Sequence, residues 1–150
     1  MSLYYLETSA LVKLYVRELG TDRLLELTSR SSDSRLAILS LTRVEFISAV
    51  RRRERNREIP TAVATGLIEA FGRHLQTRFV TQAVTDFVID LANALVDRYA
   101  LRAFDAIQLG GYAALKNTTS TAEPPVFVCA DRDLLAAAEM EGFPTLNPTP

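Results

Sequence analysis

Short apolar runs alternate along the chain with longer segments in which apolar residues recur at helical spacing. Residues 3–6, 36–39 and 126–129 are almost wholly apolar, which predicts three short buried strands. Phe79-Val80 is a candidate for a minimal strand and Thr145-Leu146 for an edge strand. The strand signals are therefore few, short and widely separated.

The segments between these runs predict helices. Ser9 or Thr8 is expected to cap the first helix and Gly20 to end it, while Pro60 fits the first turn of the fourth. The helices are predicted from Ser9 or Thr8 through Tyr15, then over Thr21–Leu27, Leu41–Arg57, Pro60–Leu75, Val84–Tyr99, Phe104–Leu115 and Leu134–Met140.

Strands that alternate with helices predict a three-layer α/β domain, with a mostly parallel central sheet flanked by helices. No internal repeat or domain boundary is apparent, so residues 1–150 are expected to form a single domain. A chain of 150 residues is long enough to bury a sizeable core.

Composition narrows the possible chemistry. The apolar fraction of 48% and the charged fraction of 23% are typical of a globular protein, and the net charge of −1 means that nucleic-acid affinity would need a local basic patch. One cysteine and one histidine exclude an internal disulfide, a cysteine-based zinc cluster and a His-rich metal site. No signal-peptide pattern or membrane-length apolar run is present, so a cytoplasmic location without a membrane partner is expected.

Four carboxylates stand where such a fold could bring them together. Glu7 directly follows the first strand, and Asp131 follows the strand at residues 126–129 after one alanine. Glu45 and Asp105 lie near the starts of helices. Because open parallel sheets bind ligands beyond the carboxyl ends of their strands, we expect these four acids to converge there.

Each acid also has a local explanation. Thr42 and Glu45 match a capping box, Asp105 would be favourable near a helix N-terminus, Asp131 could cap its helix, and Glu7 could be exposed. No lysine or arginine stands in an obvious pairing pattern with the acids, and three of them have apolar neighbours. A shared divalent cation, Mg²⁺ or Mn²⁺, would relieve their mutual repulsion.

The four acids lie in the segments LETSALVKLY (residues 6–15), LTRVE (41–45), LRAFDAIQL (101–109) and VCADRDL (128–134). In order and spacing these segments resemble the motifs of PIN-domain ribonucleases, particularly the VapC-type toxins of type II toxin–antitoxin pairs. The family usually has aspartate where this chain has Glu7. The extra methylene moves the carboxylate outward, so either the site tolerates the longer side chain or activity is altered.

The resemblance implies a PIN-like fold and a metal-dependent endoribonuclease that acts as a toxin, forms a homodimer and binds a small antitoxin. It implies Mg²⁺ or Mn²⁺ as cofactor and RNA as substrate. The catalytic and metal-binding residues it implies are Glu7, Glu45, Asp105 and Asp131. Ser9 and Asp133 are auxiliary candidates.

The segment at residues 51–58 carries a dense run of arginines. It could be a solvated helix end whose charges complement the helix dipole, it could contact RNA phosphates without sequence preference, or it could meet an acidic or apolar segment of an antitoxin. Arg51, Arg52 and Arg102 are the candidates for substrate binding.

Two other functions are compatible with the sequence. A PIN-like domain that has lost catalysis could bind RNA or protein, which Glu7 favours. A Mg²⁺-dependent phosphatase or receiver-type phosphoacceptor would need a nucleophilic aspartate after the first strand, and this chain has a glutamate there.

Overall fold

The computed structural model of the protein describes residues 2–29, 33–119 and 122–149. Within them the central sheet has five strands, all parallel. Their order across the sheet is β3-β2-β1-β4-β5. All five predicted strands are present, with two-residue β5 at one edge. The strands are β1 (Leu3–Leu6), β2 (Arg35–Leu39), β3 (Phe79–Gln82), β4 (Val126–Val128) and β5 (Thr145–Leu146).

Seven α-helices occur in the described residues, and six agree with the predicted segments to within a few residues. They are α1 (Thr8–Leu11), α2 (Thr21–Ser29), α3 (Thr42–Arg55), α4 (Thr61–Thr77), α5 (Asp86–Arg98), α6 (Ala103–Asn117) and α7 (Arg132–Met140).

The first helix departs from the prediction. It is a single α-helical turn followed by a 3₁₀ turn at Val12–Leu14, and neither Thr8 nor Ser9 caps it. Glu7 is the N-cap, because its side chain accepts the backbone N–H of Ser9. Gly20 has φ +97° and lies immediately before α2, where its left-handed backbone suits a residue without Cβ.

Two apolar clusters cover the two faces of the sheet. Leu6 and Ile38 pack on one face with residues of α1 to α4, whereas Tyr5 and Leu39 pack on the other with residues of α5, α6 and α7. Successive strand residues point to opposite faces, which explains why these continuous apolar runs are buried on both sides. The predicted three-layer α/β class is therefore confirmed.

Two adjacent glycines let α6 pack closely against its neighbours. A Cβ on Gly110 would lie 2.9 Å from the carbonyl oxygen of Val88 in α5. A Cβ on Gly111 would lie 2.8 Å from the hydroxyl of Tyr5 in β1. The absence of side chains here holds α6 close to both the sheet and α5.

The strand order reverses at β1: β2 and β3 are added on one side of it, and β4 and β5 on the other. The Glu7 N–H extends the β1–β4 ladder by donating to the Val128 carbonyl (3.0 Å). No helix in the described residues is long and apolar enough to cross a membrane. The single-domain prediction also covers residues 1, 30–32, 120, 121 and 150, which lie outside the described residues.

Candidate active site

All four predicted acids line one cleft of about 590 Å³ beyond the carboxyl ends of β1 and β4. Glu7 follows β1 and Asp131 follows β4, and these strands are neighbours, so the two acids share one end of the sheet. Glu45 reaches the cleft from the first turn of α3, and Asp105 from the first turn of α6. Four distant parts of the sequence thus meet at the point where the strand order reverses.

Glu7 is the most buried of the four acids, with only 5% of its surface exposed. Its Oε2 accepts the Ser9 N–H (2.9 Å), the Ser9 hydroxyl and the Cys129 thiol (3.4 Å). Burial raises the pKa of Glu7 from 4.5 to about 7, the Ser9 bonds oppose the rise, and the charge of Glu45 adds to it. Within the described part of the chain Glu7 forms no ion pair.

Glu45 does not form the capping box that its spacing from Thr42 allowed. Its Oε1 accepts the Thr8 hydroxyl (2.8 Å) and the side-chain amide of Gln108 (2.6 Å). Thr42 is buried at the start of α3, and its hydroxyl accepts a second bond from Gln108 (2.8 Å). The capping-box interpretation of Glu45 was therefore wrong, because the Glu45 carboxylate and the Thr42 hydroxyl both accept hydrogen bonds from the buried Gln108 amide.

Asp105 and Asp131 share a cation from the protein itself. The Arg102 Nε donates to Asp105 Oδ2 (3.1 Å), and Arg102 Nη2 lies 3.8 Å from Asp131 Oδ2. The other oxygen of Asp131 caps α7 by accepting the backbone N–H groups of Asp133 (3.0 Å) and Leu134 (3.2 Å). The N-cap interpretation of Asp131 is thus confirmed, whereas the expectation that no arginine pairs with the acids was wrong.

The four carboxylates do not close into a metal cage in this arrangement. Across residues 2–29, 33–119 and 122–149, no three acidic, histidine or cysteine side chains are placed so that they could hold an ion. The donor chemistry nevertheless fits a hard cation, because Glu7 is a buried carboxylate without a cationic partner and stands beside Glu45. One oxygen of each acid accepts no hydrogen bond from any described residue: Glu7 Oε1, Glu45 Oε2, Asp105 Oδ1 and Asp131 Oδ2.

The auxiliary candidates differ in position. Ser9 lines the cleft and connects its two sides, since its side-chain oxygen donates to Glu7 and accepts the Ala130 N–H (3.0 Å). The Asp133 side chain is exposed and does not line the cleft, although its backbone N–H helps to hold Asp131.

The basic side chains divide into two groups. Arg52 is exposed, lines the cleft together with Arg102, and forms no ion pair within the described residues. Arg51 lies outside the cleft lining and pairs with Glu54 (3.1 Å). Arg52 and Arg102, but not Arg51, therefore line the cleft that contains the four acids.

Several residues of the cleft give no sign of their position in the sequence. Lys13 and Arg53 both line the cleft, and both pair with Glu18 at 3.1 Å. No local pattern identified them, because Glu18 and Arg53 are brought together by the packing of α3. Gln108 was not predicted as a site residue. The signal for it is a polar side chain one turn after Asp105 in an otherwise apolar segment of α6.

No family model matches the sequence, and no curated protein matches it either. Solved structures are similar over nearly the whole chain. A toxin–antitoxin complex from Klebsiella pneumoniae has a TM-score of 0.64 at 16% identity, covering 97% of both chains. PAE2754 from Pyrobaculum aerophilum has a TM-score of 0.62 at 22% identity, covering 98% of this chain and 90% of the other.

VapBC2 from Rickettsia felis, bound to a DNA fragment from its promoter, has a TM-score of 0.62 at 12% identity, covering 97% of this chain and 98% of the other. At such low identity these likenesses establish a shared fold. They confirm the fold that the motif resemblance implied, and activity has to be argued from the residues.

Proposed function

We propose that this protein is a Mg²⁺- or Mn²⁺-dependent endoribonuclease of the PIN type, acting as the toxin of a VapBC-type toxin–antitoxin pair. One observation carries the proposal: four carboxylates from four distant segments line a single cleft where the strand order of this fold reverses. The similar structures named as a toxin–antitoxin complex and as VapBC2 support the toxin role.

Glu7, Glu45, Asp105 and Asp131 would hold the cation. A divalent ion, when bound, supplies water activation and neutralises charge at the phosphate. Each of these acids keeps a carboxylate oxygen that accepts no hydrogen bond from the described residues, so ligands are available without breaking the hydrogen bonds that place the side chains. Arg102 would have to leave Asp105 and Asp131 for both to bind fully.

The protein also supplies groups for proton transfer. Burial raises the pKa of Glu7 to about 7 in the metal-free protein, and a bound divalent ion would instead hold this carboxyl in its charged form. The only histidine, His74, hydrogen-bonds Tyr15 and does not line the cleft, so a carboxylate is the candidate base. This chemistry leaves a 5′-phosphate and a 3′-hydroxyl on the RNA.

Arg52 and Arg102, which line the cleft together, would hold the RNA backbone next to the acids. Arg52 brings an exposed positive charge to the cleft, and arginine suits phosphate because its planar group donates two parallel hydrogen bonds. Since the net charge is −1, affinity would depend on these local cations and fall with rising salt.

The decisive experiment is RNA cleavage by Asp105→Asn in the presence of Mn²⁺. Asp90→Asn, an exposed change on α5 outside the cleft, is the matched control. We expect loss of cleavage in Asp105→Asn, full cleavage in Asp90→Asn, and no cleavage by any variant in EDTA. Undiminished cleavage by Asp105→Asn would end the metal-site account.

The toxin role has its own test. Expression of the chain in a bacterial host should arrest growth, and Asp105→Asn should not. We expect a small antitoxin as partner and a homodimer as the assembly. A short reading frame for a DNA-binding protein just upstream of the gene would supply the antitoxin for co-expression, and light scattering would test the dimer.

A second candidate function is a PIN-like module that binds RNA or protein without catalysis. The Arg102 bridge between Asp105 and Asp131 favours it, as does the glutamate at position 7. Calorimetry with Mg²⁺ and Mn²⁺ discriminates the two, because the nuclease requires metal whereas a pure binding module need not take it up. RNA binding without metal uptake or cleavage would establish this alternative.

A further inference from the structure

The side chain of Gln108 is completely buried beneath the cleft. Its Nε2 lies 2.6 Å from Glu45 Oε1, 2.8 Å from the Thr42 hydroxyl and 3.1 Å from the Thr8 hydroxyl. Thr8 in turn donates to the same Glu45 oxygen (2.8 Å). One oxygen of Glu45 is thus held by two donors from the protein interior, and the other remains available to the cleft.

The orientation of this amide is fixed from the opposite side. The Tyr5 hydroxyl lies 2.9 Å from the Gln108 backbone oxygen and 3.2 Å from its Oε1, and both are acceptors. Glu45, when charged, can only accept, so the NH₂ group must face it and Oε1 must face Tyr5. Gly111 makes room for the Tyr5 hydroxyl, because a Cβ there would lie 2.8 Å from it.

Burial of a primary amide is unfavourable unless its donors and acceptor are satisfied. Here they are: among the described residues no buried side-chain nitrogen or oxygen lacks a hydrogen-bond partner. An apolar side chain of similar size would fill this position on α6 without requiring any of these partners. The amide therefore serves its polar neighbours, and the only charged one among them is Glu45.

We propose that Gln108 is a positioning residue that holds the Glu45 carboxylate in the orientation needed at the candidate metal site. The inference rests on the proposed nuclease function and deepens it. Gln108 does not touch substrate or metal. It acts through Glu45, so that α6 contributes to the site twice, with Asp105 at the cleft and with Gln108 one turn later beneath it.

The test is the Mn²⁺ affinity of Gln108→Met, measured by calorimetry alongside RNA cleavage. Methionine keeps the length of the side chain but donates no hydrogen bond. Loss of partners that orient metal ligands typically weakens binding by about 10- to 100-fold, and we expect a loss of at least about ten-fold here. The kcat for RNA should fall with it while KM stays unchanged.

Tyr112→Phe is the matched control. It lies on the same helix, is equally buried, and loses a hydrogen bond to the Pro125 carbonyl (2.6 Å) far from the acids. We expect it to lower the free energy of unfolding without changing Mn²⁺ affinity. Gln108→Asn, which keeps the amide but withdraws it by one methylene, decides the question if Gln108→Met does not fold.

Asp105→Asn, measured in parallel, separates the two levels of the argument. If Asp105→Asn loses Mn²⁺ binding while Gln108→Met and Gln108→Asn bind like the unaltered protein, the Gln108 inference is overturned and the proposed function stands. If the unaltered protein binds no Mn²⁺, both are overturned. A loss in the Gln108 variants with retention in Tyr112→Phe supports the inference.

Discussion

The guanidinium of Arg102 lies 3.8 Å from Asp131, so the residue before α6 reaches the acid that caps α7. The same group donates to Asp105 at 3.1 Å. The Arg102 side chain is 82% exposed. The hydrogen bond to Asp105, together with the negative charges of Asp105 and Asp131, raises the pKa of the guanidinium. The arginine is therefore positively charged, and a divalent ion at the same acids would have to compete with it.

Replacement of Arg102 by glutamine should strengthen Mn²⁺ binding. Because exposed ion pairs are weak, we expect the association constant to rise only about two- to five-fold. RNA affinity should fall in the same variant, since a phosphate contact is lost. Calorimetry and filter binding measure the two effects.

Arg98→Gln serves as the control for Arg102→Gln, because Arg98 pairs with Glu141 (2.7 Å) outside the cleft. It should leave both affinities unchanged. Equal or weaker Mn²⁺ binding by Arg102→Gln would show that the arginine does not compete for the acids.

The pKa of Glu7 predicts a pH-dependent stability of the metal-free protein. Since its pKa is raised from 4.5 to about 7 on folding, the folded protein binds more protons than the unfolded chain between these values. This contribution to the free energy of unfolding is fully present below pH 4.5 and is lost as pH rises through 7, amounting to up to about 3 kcal/mol.

Urea denaturation in EDTA at pH 5, 6, 7 and 8 measures the effect. Glu7→Gln cannot titrate, so its stability relative to the unaltered protein should increase across this range. A difference between the two proteins that stays constant with pH would contradict the prediction.

Gly110→Ala should destabilise the protein. The new Cβ would lie 2.9 Å from the Val88 carbonyl oxygen and 3.1 Å from the Ala92 nitrogen, and both belong to the backbone of α5, which cannot move aside locally. We expect the free energy of unfolding to fall by about 1–3 kcal/mol, as for other overpacked sites.

Gly66→Ala on α4 provides the contrast, because a Cβ there meets no described atom within 4 Å beyond the backbone of its own helix. It should stabilise the protein by up to about 1 kcal/mol through helix propensity alone. Denaturation midpoints of the two variants should move in opposite directions. An unchanged or higher midpoint for Gly110→Ala would mean that α5 and α6 are not in close backbone contact.

Cys129 should resist thiol reagents in the native protein. It is fully buried next to Glu7, and burial raises the pKa of its thiol far above the usual range, so little reactive thiolate forms. We expect labelling at neutral pH to follow the rate of unfolding, with one thiol reacting completely in denaturant. Rapid labelling without unfolding would show that the structure around Cys129 opens in the native protein.

The fold was largely predictable because its signals are local. Residues 3–6, 36–39 and 126–129 are apolar on both faces, and that property is visible in the sequence and is required by a sheet covered on both sides. The capping residue of the first helix was mispredicted. Glu7 is the N-cap, because its side chain accepts the Ser9 N–H, and neither Thr8 nor Ser9 takes this role. A glutamate that follows a strand gives no local sign of that role.

By itself, the sequence determined the order of strands and helices and the placement of Glu7 and Asp131 shortly after the ends of strands, since both depend on neighbours along the chain. Only the tertiary structure decided that Gln108 lies against Glu45 and that Arg102 pairs with Asp105 and Asp131. The physical reason is that a side chain's charge and hydrogen-bond partners depend on distances in space. For residues on different elements those distances are set by the packing of helices on the sheet.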